Sequence, residues 1–221
     1  MSTMEGTLRI NDPLSADWVT GILLLVFVLL AYTNVASPKK WRLLWGSMFT
    51  LRLGKQVLRE DVDPQDRTLI GLIVAAMVLL ALFAYQVAVV SGVPSSGLLL
   101  FGRSLLFVVI ALIAQVLLLN LVGVLFRSDG GLMEYLYTML LITIVLGVVL
   151  LPVVMLVAYR PGLRFALLPL GGAVVALSVL YRWFRAVLIG VGEGVPLRHV
   201  FLYLCTAEIV PVAIAIHSAT H

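Results

Sequence analysis

Glu208 is the residue whose type and setting ask most directly for chemistry. It stands within LYLCTAEIVP, residues 202–211, with about ten residues of hydrophobic sequence on either side. A charged carboxylate at mid-depth in a bilayer costs about 2.5 to 3.5 kcal/mol, so something inside the protein must receive it. Spacings of three and four residues put Phe201, Leu204, Cys205, Glu208, Pro211, Val212 and Ala215 on one helical face. Pro211 has no amide hydrogen for the carbonyl of Ala207, which predicts a kink and a bare backbone acceptor beside the carboxylate. Two roles are open to Glu208. It binds a proton, a cation or a cationic substrate, or it is protonated or paired to lock its helix in a bundle.

The candidate partners for this carboxylate are three arginines. Arg103 would approach from the outer side, and apolar sequence precedes it. Arg182 and Arg185 would approach from the inner side, where snorkelling to the headgroups beside Trp183 is the competing explanation. His199 and His217 each lie nine residues from Glu208 and so point away from it, and 18 residues separate the two, too far for one ligand pair. Glu134, at the start of an apolar span, is explained by the helix dipole. The single cysteine, Cys205, excludes an internal disulfide and a cysteine-rich metal site. The sequence contains no HExxH, no glycine-rich phosphate loop, no nucleophile elbow and no histidine or cysteine cluster at ligand spacing. The expectation is a protein that is not an enzyme and holds no cofactor or metal.

The elements that position these residues are membrane spans. The 221 residues are 62% hydrophobic and 12% charged, with a mean hydropathy of +1.13. Globular chains carry about 25% charged residues. The net charge of +4 is gathered beside the apolar runs, which points to anionic lipid headgroups as partners and not to nucleic acid. No polar stretch is long enough for a separate soluble core, so residues 1–221 form one integral membrane domain.

Residues 1–16 read as a short polar tail, followed by a first span over about 18–36. Lys39, Lys40 and Arg42 come after that apolar core and not before it, as a signal peptide would require, which predicts a retained helix with its N-terminus outside. Over 39–60, Trp41, Trp45 and several leucines interleave with Lys39, Lys40, Arg42, Arg52, Lys55 and Arg59. This is the pattern of an amphipathic helix on the inner leaflet, with tryptophans at headgroup level and cations on the polar face. Further spans are predicted over about 68–90, 98–126, 132–158, 165–183 and 197–216. Pro152 and Pro169 fall inside two of them, and Gly171 and Gly172 would permit close helix contact. Residues 186–196 either continue the fifth helix or fold back at the interface. The Arg160 to Arg164 turn is placed outside, against the positive-inside rule, because the basic cluster between the first two spans is larger.

Leu204, Cys205, Thr206, Glu208 and Pro211, together with the tryptophan-rich basic stretch and the uncharged spans, resemble a family of small bacterial inner-membrane proteins classed as a domain of unknown function. Alanine at Ala207 departs from the bulkier residue of that pattern. The resemblance implies the fold and the compartment and no activity. The expectation is therefore an all-α, polytopic protein of the bacterial inner membrane. It has six transmembrane helices and one interfacial helix, both termini outside, and lipid and other membrane proteins as partners. Its leading function is a non-enzymatic accessory or scaffold of the cell envelope. The alternative is a small carrier with Glu208 as its proton or cation site.

Overall fold

The structure is a computed structural model and describes residues 12–36, 67–94, 97–126 and 131–192. All regular structure among them is helical. Five long helices follow in chain order: α1 (Asp17–Ala36), α2 (Arg67–Val90), α3 (Leu98–Phe126), α4 (Gly131–Tyr159) and α5 (Arg164–Gly192), with a 3-10 turn at Pro161–Leu163 before α5. Each contains an apolar stretch long enough to cross a membrane. The predicted interfacial helix, with Trp41, Trp45, Lys39, Lys40 and Arg42, and the predicted sixth span, with Glu208, lie outside the described residues.

The described helices alternate in direction. Thr20 near the start of α1 meets Tyr159 at the end of α4, and Thr33 near the end of α1 lies against Gly71 near the start of α2. Gln86 of α2 reaches Val154 of α4, while Ala76 of α2 faces Gly147 of α4. So α2 and α4 run parallel, and α1 runs antiparallel to both. One end of the bundle gathers Asp12, the end of α2, the start of α3 and the Arg160 to Arg164 turn. The connection at this end reverses through Gly92 and Gly97, whose φ angles of 83° and 90° suit glycine.

The centre of the bundle is the α2–α4 pair. In the most apolar 18-residue stretch of each of these helices 56% of the residues are buried, against 22% for α1, 11% for α3 and 6% for α5. Tail and helices share one apolar cluster that includes Leu14, Val19, Leu79, Leu82, Leu150 and Val154, and a smaller one joins Leu69 and Leu72 to Leu141, Ile144 and Val145. In lipid, burial of apolar surface does not draw helices together, because the tails are as apolar as leucine, and close van der Waals contact has to do it. The α2–α4 seam achieves that through small residues. A Cβ on Gly147 would stand 2.7 Å from the Cα of Ala76 and 2.8 Å from its Cβ. Helix α5 uses the same device against both, since a Cβ on Gly171 would lie 2.5 Å from the ring of Phe83 on α2 and 3.2 Å from Val153 on α4. Of the predicted glycine pair, Gly171 makes the close approach, and Gly172 is exposed with nothing within 4 Å of its Cβ position.

The structure narrows one ambiguity in the sequence and measures the length of α3. The helix of α5 continues past Trp183 to Gly192, so the weakly polar residues after Arg185 extend it before any fold-back. And α3 is a single helix of 29 residues, about 43 Å long at 1.5 Å per residue, against a hydrocarbon core of about 30 Å. It must tilt or project beyond the core.

Candidate functional site

The polar side chains of the described residues fall into three groups, and the sequence singled out only part of one. At the Asp12 end, Asp12 and Arg164 form a bidentate pair, with both terminal nitrogens of the guanidinium on both carboxylate oxygens. The same guanidinium donates from Nε to the carbonyl of Val157 at 2.9 Å and from Nη2 to that of Ala158 at 3.4 Å. These carbonyls belong to the last turn of α4, where no further helical amide follows to bond them. Arg164 thereby closes the C-terminus of α4, sits in the first turn of α5 and ties down the tail, three tasks that a forked donor can combine.

The tail is held along its length. Leu14 is buried, its amide donates to Asp12 Oδ1 at 3.2 Å, and the Tyr85 hydroxyl donates to the carbonyl of Pro13 at 3.0 Å. The ring of Trp18 stands edge-on to Tyr85 with centroids 5.1 Å apart and tilts against Phe101 at 5.6 Å. What reads in the sequence as the end of a polar tail is, from Asp12 to Ala16, a plug over one end of the bundle. The cationic turn is thus partly a structural device, with Arg164 engaged by Asp12 and two backbone carbonyls.

The second group is Gln86, fully buried between α2 and α4. Its Nε2 donates to the carbonyl of Val154 at 2.9 Å, and its Oε1 has no hydrogen-bond partner among the described residues. A buried acceptor left in that state costs about 1 to 3 kcal/mol. Thr143 satisfies its hydroxyl within its own helix by donating to the carbonyl of Met139 at 2.9 Å. Gln86 was not singled out from sequence. The signal available was an amide side chain in the apolar run VLLALFAYQVAVV.

The third group carries two of the predicted site residues. Arg182 donates from Nη2 to Oε1 of Gln115 at 3.2 Å, linking α5 to α3. Arg185, one turn further on, is buried and reaches the Tyr181 hydroxyl at 3.4 Å. Snorkelling to headgroups accounts poorly for either side chain, because the protein surrounds Arg185 and Arg182 bonds inward to another helix. Arg182 is 18 residues past Arg164, about 27 Å along α5, which puts the pair close to the end of the bundle opposite Asp12. Arg103 is elsewhere. It is exposed in the second turn of α3, 12 residues or about 18 Å before Gln115, so it does not join the Arg182 and Arg185 group. Glu208, the intended centre of this constellation, lies outside the described residues. No group of three or more histidine, cysteine, aspartate or glutamate side chains among the described residues is placed to hold a metal ion.

Long apolar helices in alternating directions, packed through small residues and pinned by a few polar contacts, make up a multi-pass helical membrane protein. A family model described as a domain of unknown function, DUF4271, matches residues 19–218. The chain belongs to that family. No curated protein and no solved structure matches it.

Proposed function

We propose that the chain is a non-enzymatic accessory or scaffold protein of the bacterial cell envelope, seated in the inner membrane with six spans, both termini outside and an interfacial helix on the cytoplasmic leaflet. The observation that supports this reading is the uneven burial of the spans. The α2–α4 pair is packed as a rigid spine, while α3 and α5 turn long apolar faces outward, with Leu106, Ile110, Ile113 and Leu117 on α3 and Leu170, Leu177 and Leu180 on α5. Such faces suit contact with the helices of other membrane proteins by the same close packing that holds the spine together. The experiment is a photo-crosslinking amino acid placed in living cells at Leu106 or Leu177, with Val26, buried in the core, as the control. Protein adducts of defined mass at the α3 and α5 positions are the expected result. Lipid adducts alone at both positions would remove the basis of the scaffold reading.

The alternative is a small carrier with Glu208 as its proton or cation site. The Arg182–Gln115 contact and buried Arg185 favour it, because ionisable side chains set among apolar helices are functional candidates by default. Glu208→Gln and Glu208→Leu separate the readings. A structural carboxyl that keeps its proton is imitated by glutamine, so Glu208→Gln preserves cellular function and detergent melting while Glu208→Leu loosens the bundle. A carrier loses its function in Glu208→Gln although the protein remains folded.

A further inference from the structure

We infer that the last two turns of α4 are a gate at the Asp12 end of the bundle, hinged at Pro152 and latched by Gln86, which admits water to the α2–α4 seam when it opens. The gate depends on neither the scaffold nor the carrier reading. The spine that α2 and α4 form is not uniform along its length. On one side of Pro152, Gly147 brings α4 against the backbone of Ala76, and residues 141–145 are all buried. Pro152 then interrupts the hydrogen-bond ladder, since it has no amide hydrogen for the carbonyl of Val148. Prolines inside helices are where sharp bends localise. Beyond it, residues 153–159 are held on α2 by the apolar cluster that contains Val154 and Val157 and by the bond from Gln86 to the Val154 carbonyl, two residues past the proline.

The latch is satisfied on one side only. Gln86 is fully buried, its Nε2 is bonded, and its Oε1 has no hydrogen-bond partner among the described residues. The bond favours the closed seam, and the bare acceptor opposes it because opening lets water reach Oε1. Of these two effects the bare acceptor is the larger, so apolar packing holds the seam shut against it. Gln86 lies four residues, about 6 Å, before the end of α2, and Val154 lies five residues, about 7.5 Å, before the end of α4. A displacement confined to the last two turns therefore wets the amide and leaves the Gly147 contact in place. The segment carries its turn with it, because Arg164 bonds the Val157 and Ala158 carbonyls. The Thr20–Tyr159 hydroxyl pair beside it is partly buried, and water can replace either hydroxyl there.

Amide hydrogen exchange of the full-length protein in phosphatidylcholine nanodiscs tests the gate through its sign. A latch that is half-satisfied gives way to a tighter seam when an apolar side chain replaces it. Gln86→Leu, and Gln86→Met as the unbranched alternative, should therefore slow exchange over residues 153–157 by about fivefold, the margin by which a relieved acceptor outweighs one lost bond. Exchange over residues 141–147 should not change, and both variants should melt at or above the parent. Pro152→Ala restores an amide for the Val148 carbonyl and should slow the same outer amides. Adding Gln86→Leu to Pro152→Ala should then slow them little further, because both changes act on one opening step. Faster or unchanged exchange over residues 153–157 in both Gln86 variants, or melting below the parent, would make Gln86 an ordinary structural pin and overturn the latch. A full fivefold slowing that persists in the Pro152→Ala background would overturn the hinge.

Discussion

Gly147→Leu is expected to force α2 and α4 apart and lower the thermal midpoint of the purified protein sharply, with Gly147→Ala already harmful. Two opposed effects meet in the alanine variant. Alanine is a better helix former than glycine by about 0.5 to 1 kcal/mol. Against that, its Cβ would stand 2.7 Å from the Cα of Ala76, and overpacking of this kind costs about 1 to 3 kcal/mol. The second effect is larger because the obstacle is backbone and cannot rotate away. Trimming the neighbour should therefore not rescue it. Ala76→Gly relieves the 2.8 Å contact with the Ala76 Cβ and leaves the contact with its Cα.

Gly171→Ala provides the comparison. Its obstacle is the far edge of the Phe83 ring, with Val153 at 3.2 Å, so Phe83→Leu should restore most of the loss. Gly172→Ala, with open space at its Cβ position, should be neutral or mildly stabilising. Melting of these variants in one detergent, read by near-ultraviolet circular dichroism, orders them. A Gly147→Ala protein as stable as the parent would mean that the seam is looser than its geometry states.

These two glycines mark where the sequence could and could not be read. The five described spans were legible because about 20 apolar residues in succession admit little else in a chain of this hydropathy. Gly171 was legible because a glycine pair within an apolar run is a known signature of close packing. Gly147 stands singly in LLITIVLGVVLLP, where only the partner helix reveals that its lack of a side chain is used. Which face of a uniformly apolar helix turns inward leaves almost no trace in such a sequence, since lipid and protein interior accept the same residues.

The roles of the polar residues were readable in proportion to how local their partners are. Arg182 and Arg185 stood out by charge, but the inward bond to Gln115 depends on a residue 67 positions away. Gln86 carries no charge and passed unmarked. The plug from Asp12 to Ala16 was missed because proline, serine and aspartate before a span are also what a solvated tail contains, and its partner Arg164 is 152 positions distant.

That plug supplies the second large effect. Arg164→Met retains much of the stem and removes the guanidinium, leaving the Asp12 carboxylate without its cation and the Val157 and Ala158 carbonyls without their donor. Orphaning partly buried groups costs about 1 to 3 kcal/mol, which corresponds to about a 5- to 150-fold change in a local opening equilibrium. The change should be local, because α2 and α4 pack without this residue. Amide exchange at Leu14 and Ser15, whose protons go to Asp12, should accelerate within that range, while exchange in the middle of α2 stays slow. Arg164→Lys should be intermediate, since one ammonium cannot reproduce a planar fork that serves a carboxylate and two carbonyls together. Asp12→Asn in the Arg164→Met background should add little, because the charge it removes has already lost its partner, and the resulting coupling energy isolates the pair. If Arg164→Met leaves exchange at Leu14 and Ser15 unchanged, the tail is held by Leu14 and the Tyr85 bond to Pro13 alone, and the Asp12–Arg164 pair carries no part of the closure.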